Sequence, residues 1–210
     1  MNAALWEASE TNNIHLCKQL LEPKLNHGLV AQPNSKGLND WTALHIAADS
    51  GHCDICEILL YHGEMTNINA RTSSMRTPLH LACIKAHLNV VELFIQEEAD
   101  LNCLDNEQNS PLHYASMHGH PVIVKKLIKA GAKLGTKNIR GMFPVDLAGS
   151  PAVFRVFRRY FLKNPEKRGS CGYGRSLFGS ALLHNSREDM VHKILMKNSQ
   201  APRLSELKAL

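Results

Sequence analysis

The sequence lacks the features that mark a membrane protein or a disulfide-rich secreted protein. No apolar run in it approaches the roughly 20 residues that a helix needs to cross a bilayer. The first ten residues, MNAALWEASE, lack the basic-then-apolar order of a secretory signal. Six cysteines at irregular spacing in 210 residues do not form the pattern of a disulfide framework. We therefore expect a reducing compartment, the cytosol or the nucleus.

The sequence also has little that indicates catalysis or metal binding. The stretch HCDIC at 52–56 offers zinc-ligand side chains, but no second pair with finger spacing follows it. The glycine-rich segment GSCGYGRSLFG at 169–179 lacks the phosphate-loop pattern G-x-x-x-x-G-K-[ST]. No Ser-His-Asp or paired-carboxylate arrangement can be argued from the twelve histidines. We expect no catalytic residue, no metal and no cofactor, and hence a protein that is not an enzyme.

What the sequence does contain is a repeated four-residue word. TALH, TPLH and SPLH begin at Thr42, Thr77 and Ser110, and FPVD begins at Phe143, so the intervals are 35, 33 and 33 residues. An alanine stands five residues after each start, and apolar residues at helical spacing follow. Thr or Ser caps a helix N-terminus, and Pro suits the first helical position. The spacing predicts a unit of turn, helix, helix and loop that must stack on copies of itself.

These positions resemble the ankyrin repeat: the T-P-L-H word, the alanine, a Gly-His pair and a Gly-Ala-Asp-x-Asn segment agree in register across three units. The resemblance implies an all-α solenoid with short β-hairpin-like loops and a C-terminal tail. Within a repeat domain of residues 1–162 it implies about five stacked helix-turn-helix units, at about 2–37, 38–72, 73–105, 106–138 and 139–162. Residues 163–210 are then a basic, glycine-containing connector and a helical tail.

The resemblance also implies where a partner binds. Ankyrin-repeat proteins usually bind one or more proteins on a concave face built by the loop tips and the first helices, and no small-molecule substrate is expected. In this sequence the matching positions outside the framework are Trp41, Asp49, Ser50, Arg76, Ile84, Lys85, Asn109, Met117, His118, Arg140 and Met142. A few apolar anchors among polar neighbours suit a protein interface. For Trp41, packing on the neighbouring loop is an equal alternative.

The charge is divided unevenly along the chain. Residues 1–150 contain 12 Lys and Arg against 15 Asp and Glu, whereas residues 151–175 contain seven against one. Four of the seven fall on one stripe of a predicted helix, and we call them the basic belt: Arg155, Arg158, Arg159 and Lys163. The belt is either a solvated face or a surface for an acidic protein, RNA or a membrane. Without a recognition motif it does not indicate a nucleic-acid-binding domain.

Two classes of function stay open at this level. The first is a non-catalytic interaction module or adaptor that binds through the concave face. The second is a substrate receptor or structural subunit of a larger assembly, such as a ubiquitin ligase, that docks through residues 165–210. The terminal APRLSELKAL distantly resembles the start of a SOCS-box segment but lacks the cysteine and arginine expected there. The partner, the pathway and the oligomeric state cannot be read from the sequence, nor whether the chain is a fragment of a longer protein.

Overall fold

A computed structural model describes residues 1–22, 30–62 and 66–167. The chain divides into two compact units, Met1–Pro165 and Glu166–Leu210. Only two residues of the second unit are described, so residues 168–210 of the predicted connector and tail lie outside the described residues. Among the helices of the described ranges, none is long and apolar enough to span a bilayer.

The first compact unit, Met1–Pro165, is a stack of helix pairs, and each pair belongs to one repeat unit. Its described residues form the helices α1 (Asn2–Glu10), α2 (Ile14–Leu21), α3 (Ala43–Ser50), α4 (Cys53–His62), α5 (Pro78–Lys85), α6 (Leu88–Gln96), α7 (Pro111–Met117), α8 (Pro121–Lys129) and α9 (Pro151–Lys163). Short 3-10 helices occupy Leu38–Asp40 and Pro144–Leu147, and this part of the chain contains no β-strand. In the fifth unit, Pro144–Leu147 takes the place of the first helix. The all-α solenoid of about five units is confirmed.

The first helices α3, α5 and α7 begin at the repeated word, and the histidine of the word braces the turn. The backbone N–H of Thr42 donates to Nδ1 of His45 at 3.2 Å, and the Thr42 hydroxyl lies 2.8 Å from the same nitrogen. The same arrangement recurs at Thr77 with His80 and at Ser110 with His113. In the fifth unit, the carboxylate of Asp146 accepts the N–H of Phe143 instead, at 2.9 Å.

The other ring nitrogen of each bracing histidine ties its unit to the next one. Since Nδ1 accepts a backbone N–H, the neutral ring holds its proton on Nε2 and donates it. The acceptors are backbone carbonyls 29 to 31 residues further on: His45 to Arg76 (3.1 Å), His80 to Asn109 (3.1 Å) and His113 to Met142 (3.3 Å). A second set reaches back to the preceding unit: His52 to Glu10 (3.0 Å), His87 to Asp49 (2.9 Å) and His120 to Ile84 (3.3 Å).

The loop tips form a second line of contacts along the stack. Each tip is closed by a backbone hydrogen bond across a hairpin-like turn, for example from Thr72 N to Arg76 O at 3.0 Å. Successive tips are joined by one further backbone bond: Ser73 N to Asn39 O (2.9 Å), Asn106 N to Ser74 O (3.1 Å) and Ile139 N to Glu107 O (3.0 Å). Because these bonds repeat, the tips are held in register with the first helices behind them.

The core lies between the first and second helices. The alanines that follow the first three words, Ala47, Ala82 and Ala115, are wholly buried, which lets neighbouring helices approach closely. At the end of the stack, α9 packs against α8 and buries one apolar face: Val153, Phe154, Phe157 and Phe161. The phenylalanine side chains of this last helix are thus buried within the compact unit Met1–Pro165.

Candidate partner-binding surface

The predicted partner-binding residues lie in two rows along the stack. One row immediately precedes each word, and the other lies at the ends of the first helices α3, α5 and α7. These helices contact one another in order, and the loop tips are bonded in the same order. The fold therefore places both rows on the layer made by the first helices and the loop tips, which we call the first-helix face.

The side chains of this face differ in exposure. Five are exposed at the surface: Ser50, Lys85, Met117, His118 and Arg140. Another five are half-buried: Trp41, Asp49, Arg76, Ile84 and Met142. Met117 is 37% exposed at the end of α7, where the scaffold does not require an apolar residue. Exposed side chains and half-buried side chains thus both occur along the first-helix face.

The structure corrects the placement of Asn109. This side chain is only 1% exposed and takes part in bonds between two adjacent loop tips. Its amide donates to Glu107 at 3.1 Å, and its carbonyl oxygen accepts a hydrogen bond from the amide of Asn138 at 3.0 Å. Because both ends of the amide are satisfied inside the scaffold, Asn109 is not available to a partner.

Arg76 is held across two units by a network that sequence reasoning missed. Its Nη2 donates to the hydroxyl of Tyr114 at 2.8 Å, and that hydroxyl donates to Asp105 Oδ2 at 2.6 Å. Arg76 Nε also lies 3.5 Å from the same carboxylate oxygen. Burial, reinforced by the Asp105 carboxylate, raises the pKa of Tyr114, so the phenol keeps its proton and donates. The guanidinium is therefore fixed at one position on the face.

The sequence signal for this network is a polar residue five positions before the last three of the four words; Gly37 occupies this position before the first. Thr72, Asp105 and Asn138 occupy this position, and all three are buried. Their side-chain oxygens accept backbone N–H groups of their own turn, as Asp105 Oδ1 does from Glu107 and Asn109 at 2.9 Å each. The position shapes the loop tip, and at Asp105 the carboxylate also accepts a hydrogen bond from the hydroxyl of Tyr114.

Contacts among the remaining side chains stiffen the face. Lys85 Nζ lies 3.9 Å from a carboxylate oxygen of Asp49 and bridges the ends of α5 and α3. The ring of His118 stacks on that of Tyr114, with centroids 6.3 Å apart. Trp41 is half-buried and its ring centroid lies 6.1 Å from that of His45, so the indole is seated on a buried framework residue. Few of these groups need to reorganise to meet a partner.

A comparison with known protein families decides the identity of the repeats. The family model described as ankyrin repeats (3 copies) matches residues 2–72 and 64–138, which together are more than half of the chain. The chain belongs to the ankyrin-repeat family. Ankyrin repeats are general protein–protein interaction modules. A search of curated proteins found no significant match.

The basic belt lies on a different layer of the ankyrin-repeat stack. All four of its residues are on α9, the second helix of the fifth unit, where Arg155, Arg159 and Lys163 are exposed and Arg158 is half-buried. The belt is therefore separate from the first-helix face, and the two surfaces can be altered independently.

The histidine and cysteines of HCDIC occupy framework positions of the second ankyrin repeat. His52 Nε2 donates to the carbonyl of Glu10, and Cys56 is wholly buried, which raises the pKa of its thiol. Over residues 1–22, 30–62 and 66–167 no group of three or more metal-ligating side chains comes together. The described structure thus gives this stretch a packing role.

Proposed function

We propose that this chain is a non-catalytic ankyrin-repeat module that binds a protein partner through its first-helix face. The observation that carries the proposal is the row of side chains on that face that the scaffold does not require. Met117 is a 37% exposed apolar residue with His118 beside it, and Lys85 presents a charge one repeat earlier. Apolar anchors with a polar surround suit a protein interface.

The rigidity of the face supports the same proposal. Histidine ladders and loop-tip bonds join every neighbouring pair of complete repeats, and the Arg76–Tyr114–Asp105 network spans two of them. A surface that is already ordered loses little conformational entropy on association. Binding of this kind needs positioned side chains and no chemical step.

The test is a comparison of two charge-altering double variants. A partner captured from cell extract and then purified is titrated against the chain carrying Lys85→Glu and Met117→Glu. The control carries Lys18→Glu and Val122→Glu, which are exposed on the second helices α2 and α8. We expect the face variant to lose about tenfold or more in affinity and the control to stay within about twofold. Equal affinity of the face variant and the wild type would refute the proposal.

The proposal places the module in the cytosol or the nucleus. Cys17, Cys53, Cys56, Cys83 and Cys103 are free thiols, as a reducing compartment allows. Cell fractionation with a tagged full-length chain would test this, and recovery from an oxidising compartment would contradict it. Docking through residues 165–210 stays a prediction, because those residues lie almost entirely outside the described ranges.

A further inference from the structure

The outer side of the last two repeats contains an open basic groove of about 470 Å³. It lies between α8 and α9, and six cationic side chains line it: Lys125, Lys129, Arg155, Arg158, Arg159 and Lys163. The four residues of the basic belt are thus joined by two lysines that are 26 or more positions away in the sequence. No Asp or Glu is among its described lining residues.

Among the described residues these cations have no acidic partners. Within the described ranges none of the six forms an ion pair, whereas Lys126, on the same helix α8, pairs with Glu92 at 2.5 Å. Arg158 Nε is buried without a hydrogen-bond partner in the described part of the chain. Three like-charged pairs stand four residues apart, one on α8 at 125 and 129 and two on α9 at 155 and 159 and at 159 and 163. Such pairs weaken a helix, so the cluster costs stability that a bound anion would restore.

The groove also has an apolar component. Ile128, Val156 and Leu162 lie among the cations, and Leu162 is 61% exposed. Tyr160, the one aromatic residue among the described lining residues, is half-buried and packs edge-on against Phe161, with centroids 5.7 Å apart. It therefore offers no free stacking platform of the kind that single-stranded nucleic acids use. Cations mixed with aliphatic side chains suit a ligand that is itself both acidic and apolar.

We propose that this groove docks an acidic amphipathic segment of a protein partner. Carboxylates of the segment pair with the six cations, and its apolar residues cover Leu162 and its neighbours. At 1.5 Å per residue, the thirteen residues of α9 extend for about 20 Å, which matches a helical segment of about 13 residues. The site is distinct from the first-helix face, and the inference stands whether or not that face binds.

Charge argues against the chain's own remaining residues as the occupant. Residues 168–210 contain seven Lys and Arg against three Asp and Glu, so as a whole they are repelled by the groove. A second copy of the chain is the other candidate, since residues 1–110 contain six Lys and Arg against 14 Asp and Glu. The experiment below separates that case.

The test uses a fluorescein-labelled model peptide of about 14 residues built from Glu and Leu at helical spacing. A matched peptide with every Glu replaced by Gln is the first control. Binding to the full chain is followed by fluorescence anisotropy at low and at physiological salt. We expect the Glu peptide to bind at least about tenfold more tightly than the Gln peptide, with the difference shrinking as salt is added.

Two charge-reversal variants complete the design. Arg155→Glu with Arg159→Glu should reduce affinity for the Glu peptide about tenfold or more, whereas Lys18→Glu with Lys133→Glu, which changes the net charge equally, should leave it within about twofold. Circular dichroism checks that both variants fold. Equal loss in both, or tighter binding of a single-stranded oligonucleotide of the same charge, would overturn the proposal. So would self-association of the wild type that the groove variant abolishes, because the occupant would then be a second copy.

Discussion

The bracing histidines should make the stability of the ankyrin-repeat unit depend on pH in a defined direction. His80 is fully buried, with its Nδ1 accepting the N–H of Thr77 and its Nε2 donating to Asn109. The bond at Nδ1 requires the neutral ring, because a protonated ring carries a hydrogen on both nitrogens and cannot accept there. Burial lowers the pKa of His80 to about 4, and the pKa of His45 is lowered to about 4 for the same reason.

The sign follows from the unfolded state, in which a histidine has a pKa of about 6.5. Between pH 6.5 and 4 the unfolded chain binds protons that the folded chain cannot take up. The contribution of the neutral histidine to the free energy of unfolding is therefore present above pH 6.5 and is lost as the pH falls toward 4. For one such histidine, moving from pH 7.5 to 5.5 costs about 1.3 kcal/mol of unfolding free energy. His45 and His80 together cost about 3 kcal/mol, and the lowered pKa of His113 adds to the loss in the same direction.

The substitution His80→Gln isolates one of these contributions, since glutamine does not titrate. Urea unfolding followed by circular dichroism at pH 7.5 and pH 5.5 gives the loss of stability for each chain. The variant is less stable at both values, but we expect its loss between them to be smaller than that of the wild type by about 1.3 kcal/mol. His15→Gln, on an exposed position of α2, is the control and should leave the loss unchanged. An equal loss in the His80 variant and the wild type would refute the reasoning.

Three further substitutions test the turns and the buried network, each by urea unfolding at pH 7.5. Ala86 ends α5 with a left-handed φ of 66°, so Ala86→Gly should stabilise the unit by up to about 1 kcal/mol, and a loss would contradict this. At Gly51, with a φ of 80°, an added Cβ would overlap the ring of His87, so Gly51→Ala should cost about 2 kcal/mol or more; a neutral result would argue against that contact. Tyr114→Phe leaves the buried Asp105 carboxylate without its hydroxyl donor and should cost about 1–3 kcal/mol, whereas an unchanged midpoint would show that the network carries no stability.

The repeated word allowed much of the fold to be predicted from the sequence, because the same local hydrogen bonds recur in successive repeat units. Thr77 and His80 are three residues apart, so their mutual bonds follow from helix geometry alone. The interunit bond from His80 to Asn109 follows once the repeat period is known, since every unit presents the same carbonyl at the same place. Because the repeat units stack regularly, a pattern within one unit also predicts contacts between units.

What could not be predicted are contacts that depend on the residue types of one particular repeat. The bond from Arg76 to Tyr114 joins residues 38 positions apart, and no period indicates that these two side chains meet. Asn109 and Asn138 are in the same register as Arg76 and Asp105, both pairs being 29 positions apart, but the period does not indicate which chemical groups meet there. For the same reason the sequence placed Arg155 and Arg159 on one stripe but not Lys125 and Lys129 beside them. Side chains that distinguish one repeat from another are also those most free to serve a particular partner.

The two proposed surfaces lie on different layers of one rigid unit, and this arrangement bears on how a partner is held. Met117 is at the end of α7 on the first-helix layer, whereas Arg155 and Arg159 are on α9 in the second-helix layer. A partner with a folded domain for one surface and an acidic segment for the other would bind the second site intramolecularly, which raises its overall affinity without new contacts. Combining the Lys85 and Met117 changes with the Arg155 and Arg159 changes would then cost more affinity than either pair alone. For two separate partners, each pair of changes would affect only its own ligand.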